Sequence, residues 1–167
     1  LTISIPNEEL RNTNNRVMNI ISNSTPLFIG GSADVSSSTK TRLANAKDFK
    51  ITQEYGKNIH YGVREHSMGA ITNGLALMGL KPFCSAFLTF SDYLKPSLRL
   101  AALMKCGSTF VFTHDSITIG QDGPTHQPIE QLGALRSIPN MTIFRPADVR
   151  EILGAWNYAL NSNNPTS

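Results

Sequence analysis

The chain has 167 residues, with 15 Lys+Arg against 12 Asp+Glu and a formal net charge of +3. That length predicts a single domain able to bury roughly 70% of its unfolded surface, so no disulfide or structural metal is needed to hold a core. Hydrophobic residues at 40%, charged residues at 16%, 12 Gly and 9 Pro exclude a disordered or collagen-like chain, and the scattered positive surplus (Lys40-Thr41-Arg42 at its densest) excludes a nucleic-acid-binding stripe.

In chain order, Asn7 is the expected cap of a helix whose Leu10, Val17, Ile20 and Ile21 recur at helical spacing. Leu27-Phe28-Ile29 reads as a short strand running into Gly30-Gly31. Residues 32 to about 52 are polar and loop-like, long for a compact domain and so a candidate functional stretch. Ile59-His60-Tyr61 is a weak strand. Glu65 to Met78 reads as a helix with Met68, Ile71, Leu75 and Met78 as its apolar stripe. Phe83 to Phe87 is a strand, and Leu94 to Cys106 a helix with Pro96 in its first turn. Thr109 to Thr113 is a strand and His114 to Pro128 a loop. Ile129 to Ser137 is a helix, Met141 to Phe144 a strand, and Asp148 to Asn161 a helix capped by Asp148.

Strands alternating with helices predict βαβ units, hence an α/β fold with a mostly parallel sheet flanked by helices on both faces. Such sheets bind ligands at the carboxyl ends of their strands. That places three segments on one rim: the loop after Ile29, the turn before Glu65 and the loop after Thr113.

No apolar run approaches the ~18 residues of a membrane-spanning helix, so no membrane partner is expected. Asn7, Glu8, Glu9 and Arg11 are polar where a secretory leader needs an apolar core. Cys84 and Cys106 are expected as buried free thiols. Together these predict a cytoplasmic domain.

Four segments carry chemistry. Glu65 opens a helix at a strand-to-helix turn, where an acid complements the helix dipole or faces a pocket. Phe87, Phe90 and Tyr93 recur every third residue after a strand end and can form a slot for a flat heterocycle. The loop from His114 to Pro128 carries His114, Asp115, Asp122 and His126. Its two imidazoles lack the close spacing of metal ligands, so no metal site is expected, but they suit phosphate binding or proton transfer near neutral pH. Gly30-Gly31-Ser32-Ala33-Asp34 follows the first strand without the spacing of a dinucleotide fingerprint, and no P-loop or nucleophile-elbow motif is present.

Taken in order, GGSAD, IHYGVREHSM, AFLTFSDY, THDSITIGQDGPTHQP and FRPAD strongly resemble transketolase. The match is to its central, pyrimidine-binding domain, from about Arg11 to Glu151, so that residues 1–167 form one such domain. The resemblance implies the thiamine-diphosphate-binding fold and a homodimeric, cytoplasmic transferase of the pentose phosphate pathway. That enzyme moves a two-carbon ketol unit from a ketose phosphate to an aldose phosphate.

The resemblance also implies residue roles. Glu65 corresponds to the family's cofactor-activating glutamate, which hydrogen-bonds a ring nitrogen of the aminopyrimidine and favours its imino tautomer. Burial would strengthen that bond. Phe87, Phe90 and Tyr93 surround the ring, with Phe90 as the stacking partner, and Asp34 lies near the thiazolium. Arg11, Ser38 and His114 contact the sugar phosphate, Asp122 a donor hydroxyl, and His126 the reacting carbonyl. Glu65, His126 and His114 are thereby the expected catalytic residues.

Some positions depart from the family pattern. Gln121 replaces the usual Glu, Met78 the frequent His, Leu80 a common Gly and Val35 a Leu. The family's G-D-G…N motif, which belongs to an amino-terminal domain holding the diphosphate and a divalent metal (Mg or Ca), is not found, nor is the carboxy-terminal domain. The chain alone is therefore expected to be inactive and to need the remaining transketolase domains. The alternatives are the equivalent part of a deoxyxylulose-phosphate synthase or a pyruvate dehydrogenase beta chain, and a non-catalytic assembly or regulatory module.

Overall fold

The computed structural model describes residues 8–52, 55–116 and 118–167. Four parallel strands form one sheet: β1 (Phe28–Ser32), β2 (Asn58–His60), β3 (Lys81–Phe87) and β4 (Thr109–Thr113), in the order β2-β1-β3-β4. The helices are α1 (Leu10–Ser24), α2 (Ser36–Thr39), α3 (Glu65–Leu77), α4 (Ser91–Met104), α5 (Gln131–Arg136) and α6 (Val149–Asn161). They cover both faces of the sheet, and the core is accordingly divided in two. Phe28 and Phe83 pack on one face with Val17 and Met18 of α1 and with Ile152 and Trp156 of α6. Cys84, Ala86 and Phe110 pack on the other with Met68 of α3 and with Leu94 and Leu98 of α4. Cys84 and Cys106 are both buried free thiols, as expected.

β1 extends through both glycines instead of ending at them. A Cβ at Gly30 would lie 2.0 Å from the Phe83 carbonyl oxygen, and one at Gly31 1.8 Å from that of Ile59. The neighbouring backbones thus approach too closely for any side chain at these two positions.

The long loop after β1 is packed, with Thr39, Thr41 and Leu43 fully buried. The buried Asn58 side chain is its anchor: Oδ1 accepts from the Leu43 amide at 2.9 Å, and Nδ2 donates to the carbonyls of Leu43 and Ala46, both at 2.9 Å. From the other side, Asn15 donates to the Lys40 and Arg42 carbonyls, and Asn19 accepts from the Ala44 amide.

Several expectations are corrected. The Asn7 cap lies outside the described residues, and the position before α1 is Glu9, whose side chain caps nothing. In α1 the buried face is Thr13, Val17 and Met18, while Leu10 and Ile20 are exposed, because asparagines on this helix are committed to holding the loop. In α3 the apolar stripe sits mostly outside. Met68 is fully buried, but Ile71 and Met78 are 48% and 79% exposed. The inner face is Gly69, Thr72 and Asn73, since α4 packs too closely there for bulk: a Cβ at Gly69 would lie 2.5 Å from a Leu94 methyl. Pro96 is interior to α4, because the chain winds into that helix three residues early through a tight turn over Leu88–Phe90. Met141–Phe144 forms no strand, only an isolated bridge at Thr142, because Thr166 stands between it and β4. The Asp148 cap is as read, its carboxylate accepting from the Glu151 amide at 2.9 Å.

Asn58→Ala strands one buried donor and two acceptors. It is expected to lower the unfolding free energy by about 3 kcal/mol and to speed amide exchange over residues 41–46, as measured by denaturant titration and hydrogen exchange.

Candidate functional site

Because all four strands run the same way, Ser32, His60, Phe87 and Thr113 end on one edge of the sheet. Beyond Ser32, a turn is closed by the Ser32 hydroxyl, which accepts from the Val35 amide at 3.1 Å, and it holds Asp34 at φ 65° with its side chain exposed. Beyond Thr113, His114 sits at φ 54°. Two non-glycine residues in the left-handed region on one rim mark stored backbone strain, which concentrates where chains are shaped for function.

The turn after β2 brings Gly62 to φ 68°, and Arg64 folds back so that its guanidinium donates to the Tyr61 carbonyl at 2.9 Å. Glu65 follows as the first residue of α3, half-buried, with no side-chain hydrogen bond among the described residues. Behind it, burial raises the Tyr61 phenol and pushes the Cys84 thiol up to about 12, so neither ionises near neutrality.

The strongest clustering is aromatic. Phe87 lies 3.8 Å from the His114 ring, centroid to centroid, and 6.0 Å from that of His126, which meets Phe90 edge-on at 5.1 Å. Phe87, Phe90 and Tyr93 form a staircase with steps of 6.1 Å and interplanar angles of 26° and 29°. The deep end is buried at Phe87, whereas Tyr93 is 65% exposed. Both imidazoles are oriented by the residue before them, Thr113 Oγ1 to His114 Nδ1 and Thr125 Oγ1 to His126 Nδ1, each at 2.9 Å.

Arg11 and Ser38 also meet, but through the backbone: the Arg11 guanidinium donates to the Ser38 carbonyl at 3.1 Å. Arg11 is also paired with Glu9 at 2.6 Å, and that hydrogen bond holds the Glu9 carboxyl below the usual carboxylate range. Asp34, Glu65 and Asp122 make no hydrogen bond to the histidine–aromatic cluster among the described residues; Asp122 reaches His114 through charge.

One supporting pair went unread in the sequence. Arg145 donates to the Asp115 carboxylate at 2.8 Å and to its carbonyl at 3.2 Å, fastening the strand end that carries His114. The FRPAD segment was visible as a motif, but nothing local marks its arginine as a partner 30 residues away. Among the described residues no group of three or more His, Cys, Asp or Glu side chains is disposed to hold a metal ion.

A family profile described as "Transketolase, pyrimidine binding domain" matches residues 9–167. The chain belongs to this transketolase domain family. It is 50% identical over 159 residues to the transketolase of Bacillus subtilis (strain 168), covering 94% of this chain and 24% of that protein. The structure superposes on transketolase from Campylobacter jejuni with a TM-score of 0.88 at 50% identity, over 93% of this chain and 24% of that one. On Pichia stipitis transketolase in complex with sedoheptulose 7-phosphate the TM-score is 0.93 at 40% identity, over 99% and 26%. The chain thus spans about a quarter of the length of these relatives.

Within this pyrimidine-binding domain the electrostatics single out His114. Its pKa is lowered from 6.5, first by burial against Phe87 and its surroundings and next by the Arg11 guanidinium. The imidazole is therefore neutral at pH 7, and the positive charge in this corner belongs to Arg11. Because its folded pKa lies below the unfolded value, the stability His114 contributes is present above pH 6.5 and is lost as pH falls through the folded pKa. In an NMR titration His114 is expected to ionise below 6.5, and Arg11→Ala to move its midpoint upward.

Proposed function

We propose that this chain is the pyrimidine-binding part of a thiamine-diphosphate-dependent transketolase. The reaction is transfer of a two-carbon ketol unit from a ketose phosphate to an aldose phosphate, in cytoplasmic pentose phosphate metabolism. The observation that carries the proposal is the single rim on which an aromatic staircase, two threonine-oriented imidazoles and a helix-opening glutamate all stand. The residues fit the pyrimidine end of the cofactor: near-parallel rings suit a flat heterocycle, and the half-buried Glu65 makes no side-chain hydrogen bond among the described residues. When bound, the cofactor supplies carbanion chemistry.

This chain's own residues then do the rest. Glu65 holds a proton between its carboxyl group and a ring nitrogen, with burial completed by the partner subunit. Phe90 and Phe87 stack on the ring and exclude water, Tyr93 closes its outer side and Asp34 stands near the thiazolium. Arg11 supplies the charge for the sugar phosphate, and Ser38 and the neutral His114 supply hydrogen bonds. Asp122 accepts from a donor hydroxyl, and His126 moves a proton at the reacting carbonyl. Mg or Ca would be held with the diphosphate by the amino-terminal domain that the transketolase resemblance implies.

The homodimer we propose uses the outward stripe of α3. Ile71, Leu77 and Met78 are exposed there, and Leu100 and Leu103 of the adjoining α4 extend the apolar face. Such a face is covered at a subunit contact, which also explains how Glu65, at the start of the same helix, loses its remaining water.

In the complete enzyme, Glu65→Ala is expected to lower kcat by about 10²-fold or more while the unfolding midpoint stays nearly unchanged; unaltered turnover at saturating cofactor overturns the assignment. Arg11→Ala is expected to raise KM for xylulose phosphate and to leave an unphosphorylated ketose unaffected. A donor preference for pyruvate over xylulose phosphate would instead favour the synthase or dehydrogenase reading. Ile71→Glu is expected to shift the assembly towards monomer in analytical ultracentrifugation.

A further inference from the structure

The loop that follows β4 is tied down at both ends. At its start, Asp115 is held by Arg145. At its end, the Gln131 side chain reaches across to α4, 39 residues away in the chain, where its Nε2 donates to Asp92 Oδ2 at 2.8 Å. The Gln131 Oε1 accepts from the Ile129 amide at 2.9 Å. Gln131 is only 4% exposed, so both ends of its carboxamide are satisfied inside the protein, as burial requires.

Asp92 is the second residue of α4, between Phe90 and Tyr93 of the aromatic staircase. His126, which meets Phe90 edge-on at 5.1 Å, lies five residues before Gln131. The stretch between them contains Gln127-Pro128, with Pro128 buried. Proline fixes its own φ and restricts the residue before it, so this link is stiff and passes a displacement of Gln131 on to His126. The hydrogen bonds of His126 itself are local, from its ring to Thr125 and from its amide to the Gly123 carbonyl. They orient the imidazole within its loop but do not fix the loop against Phe90. Among the described residues, no side-chain hydrogen bond other than Gln131–Asp92 joins residues 118–131 to residues 87–93.

We infer that Gln131 is a positioning residue for His126: its bond to Asp92 is the strut that sets the imidazole against Phe90. The consequence for turnover rests on the activity proposed above, in which His126 moves a proton at the reacting carbonyl; the geometric part does not. Small misplacements of such a group weigh on the chemical step. The phosphate contacts assigned to Arg11, Ser38 and His114 lie on other segments, so substrate binding is spared.

In the complete enzyme, Asp92→Ala removes the acceptor at an exposed position without burying a charge, and Gln131→Glu sets two carboxylates face to face. Each is expected to lower kcat about tenfold while KM for xylulose phosphate changes less than about twofold. Each is also expected to move the His126 and Phe90 ring centroids beyond about 7 Å in crystal structures of the variants. Combining Asp92→Asn with Gln131→Glu re-forms the bond with donor and acceptor exchanged, and is expected to restore both kcat and the ring contact. Unchanged kcat in Asp92→Ala overturns the inference. So does a loss of kcat with the rings still in contact, or a loss that the exchanged pair fails to restore. If the unaltered enzyme transfers no ketol unit, the activity reading fails by itself and the ring distances decide. Equal distances in all chains then overturn the inference, and a separation in Asp92→Ala that the exchanged pair reverses supports it.

Discussion

β1 is flanked by strands so close that positions 30 and 31 admit no side chain, because a Cβ there would press into the carbonyls of Phe83 and Ile59. With these two glycines in place, β2, β1 and β3 lock into a parallel register, and β4 follows from β3. The shared direction is what gathers the site. Four strand ends open on one edge, and each successive loop places its chemistry there: Asp34 after β1, Glu65 after β2, the aromatic turn after β3 and His114 after β4. Residues from widely separated parts of the chain become neighbours without any long-range contact having to select them one by one.

Charge on the rim is arranged with similar economy. Arg11 is paired with Glu9 and opposes protonation of His114. The imidazole of His114, held below its ordinary pKa by burial and then by the Arg11 guanidinium, stays a neutral hydrogen-bonding group near neutrality. The Arg145–Asp115 pair keeps the imidazole in place from behind.

Much of this was legible in the sequence. Strand and helix alternation gave the parallel α/β sheet, the ordered motifs pointed to the family, and Asp148 announced the last helix. Strand order placed the loop carrying His114 and His126 on the rim, while the meeting of their rings with Phe87 and Phe90 is seen only in the structure. The failures have a common physical origin: local pattern reports periodicity but not which side is inside. Ile71 and Met78 recur with the correct spacing on α3, yet the core takes Gly69, Thr72 and Asn73 because α4 needs room. Pro96 looked like a helix start because the tight turn over Leu88–Phe90 has no sequence signature of its own. Met141–Phe144 has the composition of a strand, but strandhood depends on a neighbour, and its neighbour is Thr166. The asparagine contacts of α1 and the Arg145 pair were invisible for the same reason, being agreements between distant segments.

Trp156 is the chain's sole tryptophan. Its indole N–H donates to the Asn14 side chain at 2.7 Å, its ring meets Phe28 edge-on at 5.5 Å, and it borders a cleft beside β4. The domain therefore contains a native fluorophore at the seam where its first and last helices close over the sheet. Emission from that one indole is a gauge of whether the two ends of the polypeptide are docked, readable without labels and without any substrate.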